Sequence, residues 1–304
     1  IMTQNWQQFI QQFPISTPSS KILLDLSHFG IIKVSGPDAG KFLQGQLTCE
    51  VLGLKAGEHT LGAYCNIKGR VESLFRIWYQ HDSYYLRMPN NLIEPTINEL
   101  QKYAIFSKVQ MHIVSEHLCG FGLCNDQIDL PSFKHSDLAI LNISHARSEI
   151  YGPFNLVSKL WQHCSSHAKH VDPYVWDLLD IQAGLPELYP ATVDEFFPHD
   201  LNLPALNAVS FNKGCYRGQE VIARMQHRGK LKRSLYVFKT SEDNLSPGDK
   251  ITAGGPEQET IAGTIVRACQ NNDGGGLGLA VITDALRNEP LSTHIPPIRL
   301  EILF

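Results

Sequence analysis

The chain has 304 residues, 43% hydrophobic and 18% charged, with 26 Lys plus Arg against 30 Asp plus Glu for a net charge of −4. That balance describes a globular protein of two or three domains and argues against extended disorder or a general nucleic-acid coat. Seven scattered cysteines without a C-x-x-C pair argue against a disulfide framework or a zinc ribbon, and no run approaches the ~20 apolar residues of a membrane helix.

Residues 1–20, Gln-rich and then Ser/Thr/Pro-rich, read as a short helix and a loop; they hold no Lys or Arg and no apolar leader stretch, so a cytoplasmic location is expected. Ile31–Val34 is strand-like, and Ser35-Gly36-Pro37-Asp38 starts a helix with Phe42 and Leu43 inward. Residues 59–65 and 70–79 form two strands around an Asn66-Ile67-Lys68-Gly69 turn, followed by a strand over Tyr84–Met88, a helix over Asn90–Tyr103 and a strand over 108–114. Short strands fill 119–150, with turns at Asn125-Asp126 and Pro131. A helix over Pro153–His167 is followed by a second, which Asp172-Pro173 opens and Gly184 stops. Residues 185–212 form a long loop, of a kind that is often functional. Strands and helices without regular βαβ spacing indicate an α+β fold.

Lys213-Gly214-Cys215-Tyr216-Arg217-Gly218-Gln219-Glu220 is the most informative stretch. Lys213 and Arg217 flank Cys215, and nearby cations favour thiolate over thiol, which predicts a reactive cysteine. Val221, Ile222 and Met225 follow at helical spacing, so a helix starting near Gly218 would add its dipole to that field. From Lys213 to Arg233 the net charge is +6, against −10 for the rest; such a basic stripe, with Arg224, Arg228, Lys230 and Lys232 in it, suggests an anionic partner. Beyond it, short strands over Leu235–Lys239, Asp249–Ala253, Thr260–Arg267, Gly276–Ile282 and Ile298–Leu303 predict a small β-barrel. The expected domains are an α+β region over 1–232, made of interleaved subdomains at about 21–115 and 116–232, and a barrel over 233–304.

Other patterns weigh less. His163-Cys164-x-x-His167-x-x-His170 puts His163 and His167 on one helical face. With Trp161 inward, polar-face histidines explain it, and no metal is expected. Asn272-Asp273-Gly274-Gly275-Gly276-x-Gly278 lies between two strands and reads as a hairpin turn, not a nucleotide loop.

The Lys213–Glu220 stretch resembles the signature of the YgfZ family of folate-binding proteins, relatives of the aminomethyltransferase (T-protein) of the glycine cleavage system. Phe42-Leu43-Gln44-Gly45-Gln46-Leu47-Thr48, Cys65-Asn66-Ile67-Lys68-Gly69-Arg70, Lys102 through Val109, Ile181-Gln182-Ala183-Gly184 and Phe197-Pro198 onward agree in order and spacing. The resemblance implies a ring of domains around a central folate cavity, ending in a β-barrel. It implies tetrahydrofolate or another reduced folate as cofactor, and a role in maintaining iron–sulfur enzymes, including those that methylthiolate tRNA, with such enzymes or their assembly factors as partners. Phe29 stands at one aromatic folate position, where it departs from tryptophan, and Trp176 at the other. Replacing the indole at Phe29 keeps a stacking surface and removes a donor. Gln182 stands where the aminomethyltransferases hold a pterin-binding Glu. Ser73 occupies their catalytic Asp position and supplies no carboxylate, while the neighbouring Glu72 should point to the opposite strand face. The motif residues Lys213, Gly214, Cys215, Tyr216, Gly218, Gln219 and Glu220, with Arg224, carry over, Cys215 as the reactive thiol. A folate-dependent accessory protein is therefore expected rather than a one-carbon transferase or demethylase. The acidic remainder weighs against direct tRNA binding, and no membrane partner is expected.

Overall fold

A helix with Trp6 on its apolar side, α1 (Met2–Ile10), precedes strands β1 (Ile22–Asp25) and β2 (Phe29–Ser35), helix α2 (Ala39–Gln46), strands β3 (His59–Cys65), β4 (Val71–Gln80) and β5 (Ser83–Pro89), helix α3 (Asn90–Gln101) and strand β6 (Gln110–Ile113). There follow β7 (Cys119–Cys124), β8 (Ala139–Asn142), β9 (Arg147–Gly152), α4 (Phe154–Ser165), β10 (Lys169–His170) and α5 (Tyr174–Gln182). Helix α6 (Gln219–Arg228) leads into β11 (Arg233–Thr240), β12 (Lys250–Ala253), β13 (Thr260–Gln270), β14 (Gly276–Thr283), β15 (Leu291–Thr293) and β16 (Arg299–Ile302). This computed structural model describes residues 2–124, 130, 135–228, 231–254, 259–293 and 297–304. The turns expected at Asn125-Asp126 and Pro131, Lys230 and the Arg228 side chain lie outside the described residues. Among the described residues, no helix is long and apolar enough to cross a membrane.

The chain divides into two units. The first comprises Ile1–Gly40, Gly53–His59 and Arg76–Trp176. Its first sheet runs β10-β1-β7-β9-β8, with β1 parallel to β10 and antiparallel to β7. Helices α1 and α4 pack on it through an aromatic core in which Trp6 meets Trp161 edge-on at 5.5 Å. The Trp6 indole donates to Asp25 Oδ1 at 2.7 Å, which satisfies its polar edge. The unit's second sheet aligns the 76–80 half of β4 with β5, β2 and β6, antiparallel throughout.

The second unit comprises Lys41–Leu52, Thr60–Phe75 and Asp177–Phe304. In it, β3 and the front half of β4 form the expected hairpin, closed by the Asn66–Gly69 turn in which Gly69 N donates to Asn66 O at 2.9 Å. Phe42 and Leu43 of α2 are buried as expected. Strands β11 to β16 close into a barrel in the order β11-β14-β13-β12-β15-β16 around Phe238, Ile251, Ile265, Ile282 and Leu291. Alternating β-branched and small residues on β13 and β14 suit such a curved surface. The expected glycine-rich hairpin turn joins these two strands, with Asn271 N donating to Gly275 O at 2.8 Å.

Candidate functional site

The motif around Cys215 is held by the β3–β4 hairpin. Gly218 has φ +80°, and a Cβ there would lie 2.6 Å from the Asn66 carbonyl oxygen. Glycine alone meets both conditions. The next residue begins α6, as the apolar spacing of Val221, Ile222 and Met225 predicts. Tyr216 is buried. Beneath the motif, the buried Thr48 hydroxyl donates to Ala208 O at 2.7 Å and accepts from Ala63 N at 3.0 Å. Backbone stretches far apart in sequence are joined there.

The two flanking cations have partners of their own. Lys213 Nζ donates to the carbonyls of Leu47 and Cys49, each at 2.7 Å, and lies 5.0 Å from the Tyr216 ring centre. Burial lowers its ammonium to about 8, partly offset by Cys49 and Glu50. The Arg217 guanidinium lies 4.9 Å over the Tyr64 ring, donates to the Tyr64 hydroxyl and meets Glu72 Oε2 at 3.4 Å. Buried carbonyls, a ring and a carboxylate thus engage both of the cations that flank Cys215 in sequence.

Two further cations of the basic stripe also have carboxylate partners. Arg224 pairs with Glu220 at 2.8 Å, one helical turn away, and Arg233 meets Asp200 Oδ2 at 2.5 Å. What remains distinctive is exposure. Of the seven cysteines, Cys215 alone is exposed. Burial pushes the thiols of Cys49, Cys119, Cys164 and Cys269 up to about 12 and raises that of Cys65 as well. The Lys213–Gly218 segment thus works as a clamp whose anchored side chains leave one sulfur outward. Gln219 is half-buried and Glu220 exposed. Nothing lies within 4 Å of where a Gly214 Cβ would stand.

The two expected ring positions, Phe29 and Trp176, belong to the first unit, where neither is an open platform. Trp176 is wholly buried; its ring lies so close over β7 that a Cβ on Gly122 would stand 2.8 Å from Cε3. The Arg147 guanidinium lies 4.4 Å from its ring centre. The indole Nε1 is buried and makes no hydrogen bond. Phe29 is 6% exposed, with the Arg87 guanidinium 3.8 Å and the His28 ring 4.1 Å from its ring centre. It lines a cavity of about 230 Å³ with Trp6, Asn90, Ser115, Cys119 and Tyr151. Gln182, at the end of α5, is exposed.

An ionic network links the ring positions, and sequence reasoning missed it. Arg87 grips Glu149 with both ends of its fork, at 2.7 and 3.2 Å. Arg76 lies 3.9 Å from the same carboxylate, and the Tyr151 hydroxyl donates to it at 3.0 Å. Burial pushes Glu149 up, but Arg87 and Arg76 outweigh it and hold the carboxyl down at about 2. Glu149 pairs in register with Gly122, the residue beneath Trp176. The missed signal was a charge inside each of two strands, Arg87 in Tyr85-Leu86-Arg87-Met88 and Glu149 just before Ile150-Tyr151.

Ser73 is buried on β4, and its neighbour Glu72 is the carboxylate held by Arg217. Cys164 of the histidine-rich helix is buried in the core beside Trp161.

Over most of its length the fold is that of an aminomethyltransferase. The aminomethyltransferase T of the glycine cleavage system from Bartonella henselae superposes with a TM-score of 0.71, covering 95% of this chain and 86% of that one at 18% identity. Residues 3–124 match the GCVT N-terminal domain. At closer range, the tRNA-modifying protein YgfZ of Aliivibrio fischeri (strain MJ11) is 35% identical over 276 residues, 86% of this chain and 85% of that protein. The YgfZ protein of Vibrio atlanticus (strain LGP32) is 33% identical over 279 residues, covering 88% and 86%. The chain belongs to the YgfZ family.

Proposed function

We propose that the protein is a folate-binding accessory factor that supports assembly or repair of iron–sulfur enzymes, including those that methylthiolate tRNA, through the Cys215 thiol. The observation that carries this reading is the singular exposure of Cys215 on a segment whose neighbouring side chains are all anchored. A thiol so displayed suits transient contact with sulfur, metal or a partner thiol. The relatives' name, tRNA-modifying protein, supports a role upstream of tRNA modification.

The residues present fit a reduced folate in part. The unfilled indole N–H of Trp176 awaits an acceptor, and Phe29 lines a cavity. At about 230 Å³ that cavity falls below the roughly 300–1,000 Å³ typical for drug-sized ligands, so it takes one ring and not a whole folate. Phe29 and Trp176 would hold the ring system. Bound folate supplies a one-carbon carrier; this chain supplies the ring contacts and the thiol. Aminomethyl transfer is the weaker reading, because Ser73 brings no carboxylate and Glu72 is engaged by Arg217.

The test is replacement of the endogenous protein in cells by Cys215→Ala. Reduced tRNA methylthiolation and reduced iron–sulfur enzyme activity are expected, and full activity would remove the thiol from the mechanism. Titration with tetrahydrofolate, followed by tryptophan fluorescence, tests the cofactor separately. Turnover of a methylamine donor with tetrahydrofolate, abolished by Glu72→Gln, would instead establish the transferase.

A further inference from the structure

A groove of about 690 Å³ lies in the second unit between the 199–212 loop and α6. Its size is that of a small-ligand site. Its lining is unusual in charge and chemistry. His199, Asn202, Asn207, Asn212 and Gln226 face it with Phe211, and none of its described lining residues is Asp, Glu, Lys or Arg. The Phe211 ring sits between two imidazoles, 6.3 Å from His199 and 6.5 Å from His227. His199 is buried, and its Nε2 donates to Gln226 Oε1 at 3.1 Å. Burial lowers its pKa, so the ring is neutral and its Nδ1 is an acceptor, one that makes no hydrogen bond.

A neutral wall offers nothing to balance a charged ligand. Carboxamides instead present a donor and an acceptor side by side, the pattern that pairs with the edge of a nucleobase. An aromatic ring adjacent to such amides supplies the stacking surface on which unpaired bases are held. We propose that this groove binds a nucleobase, with Phe211 as the stacking ring and the Asn and Gln amides reading the base edge. The site is separate from the residues assigned to folate and does not depend on that assignment.

Equilibrium dialysis of the full chain against adenosine, guanosine, cytidine and uridine tests this. Saturable binding of at least one nucleoside is expected, weakened about tenfold or more by Phe211→Leu and about fivefold or more by Gln226→Ala. Tetrahydrofolate should not displace the nucleoside. Asn212, which also lines the groove, is exposed, so Asn212→Ala keeps its fold and, by weakening the nucleoside likewise, decides the matter if Phe211→Leu is unstable. Absence of saturable binding, variants that bind as well as the parent, displacement by tetrahydrofolate, or equal binding of a capped asparagine amide would each overturn the proposal.

Discussion

Arg87 lies with its guanidinium 3.8 Å from the centre of the Phe29 ring while its nitrogens grip Glu149. One side chain thus covers an expected ligand ring and anchors a buried carboxylate. Removing the carboxylate leaves Arg87 and Arg76 buried around a neutral amide. Glu149→Gln should therefore destabilise the protein by about 3–5 kcal/mol in urea unfolding at neutral pH. The sign with pH follows from the lowered carboxyl. The folded value is about 2 against an ordinary 4.5, so the stabilisation is complete above 4.5 and is lost as pH falls toward 2. Glu149→Gln should flatten the acid limb of the stability curve.

Alkylation of the folded protein by iodoacetamide, read by mass spectrometry, should give one fast adduct, on Cys215. Lys213→Met and Arg217→Lys should change its rate by less than about twofold, because both cations are directed elsewhere. A large fall in either variant would show instead that the cation activates the thiol. Cys215→Ser should leave the melting temperature nearly unchanged, as exposed substitutions usually stay within about 0.5 kcal/mol.

Gly218→Ala combines a left-handed φ with a clash against the Asn66 carbonyl. A loss of at least about 1–3 kcal/mol is expected in chemical unfolding. Its companion Gly214→Ala, with open space at the added methyl, should cost far less.

Lys213 gives a pH dependence of the same sign as Glu149, in a higher window. Its folded value, about 8, lies below the ordinary 10.5, so the unfolded chain binds the extra proton between them. Burying the ammonium is a cost that is full below pH 8 and is relieved as pH rises toward 10.5. The Lys213→Met curve should lack that rise, so parent-minus-variant stability should climb between about pH 8 and pH 10.5.

The local elements were largely legible in the sequence. The hairpin around Asn66–Gly69, the helix after Gly218 and the barrel strands each carry short-range periodicity and turn residues. The eight-residue motif likewise holds the exposed cysteine. The aim of its charges was not legible: the carbonyls that take Lys213 lie 166 and 164 residues away in sequence, and no local pattern encodes such a contact. The pairing of Ile22 with Lys169 is invisible for the same reason, since β10 has only two residues. Phe29 and Trp176 were singled out through the family resemblance. Their covering arginines were not, because stacking of a guanidinium on a ring leaves no spacing rule.

Closure of β16 onto β11 completes the hydrogen-bond ladder of the C-terminal module. Among the described residues, no flank of that module is left to receive an extended peptide as an added strand. Any partner it meets must be recognised by side chains and loops, and the module is shielded from edge-to-edge aggregation for the same reason.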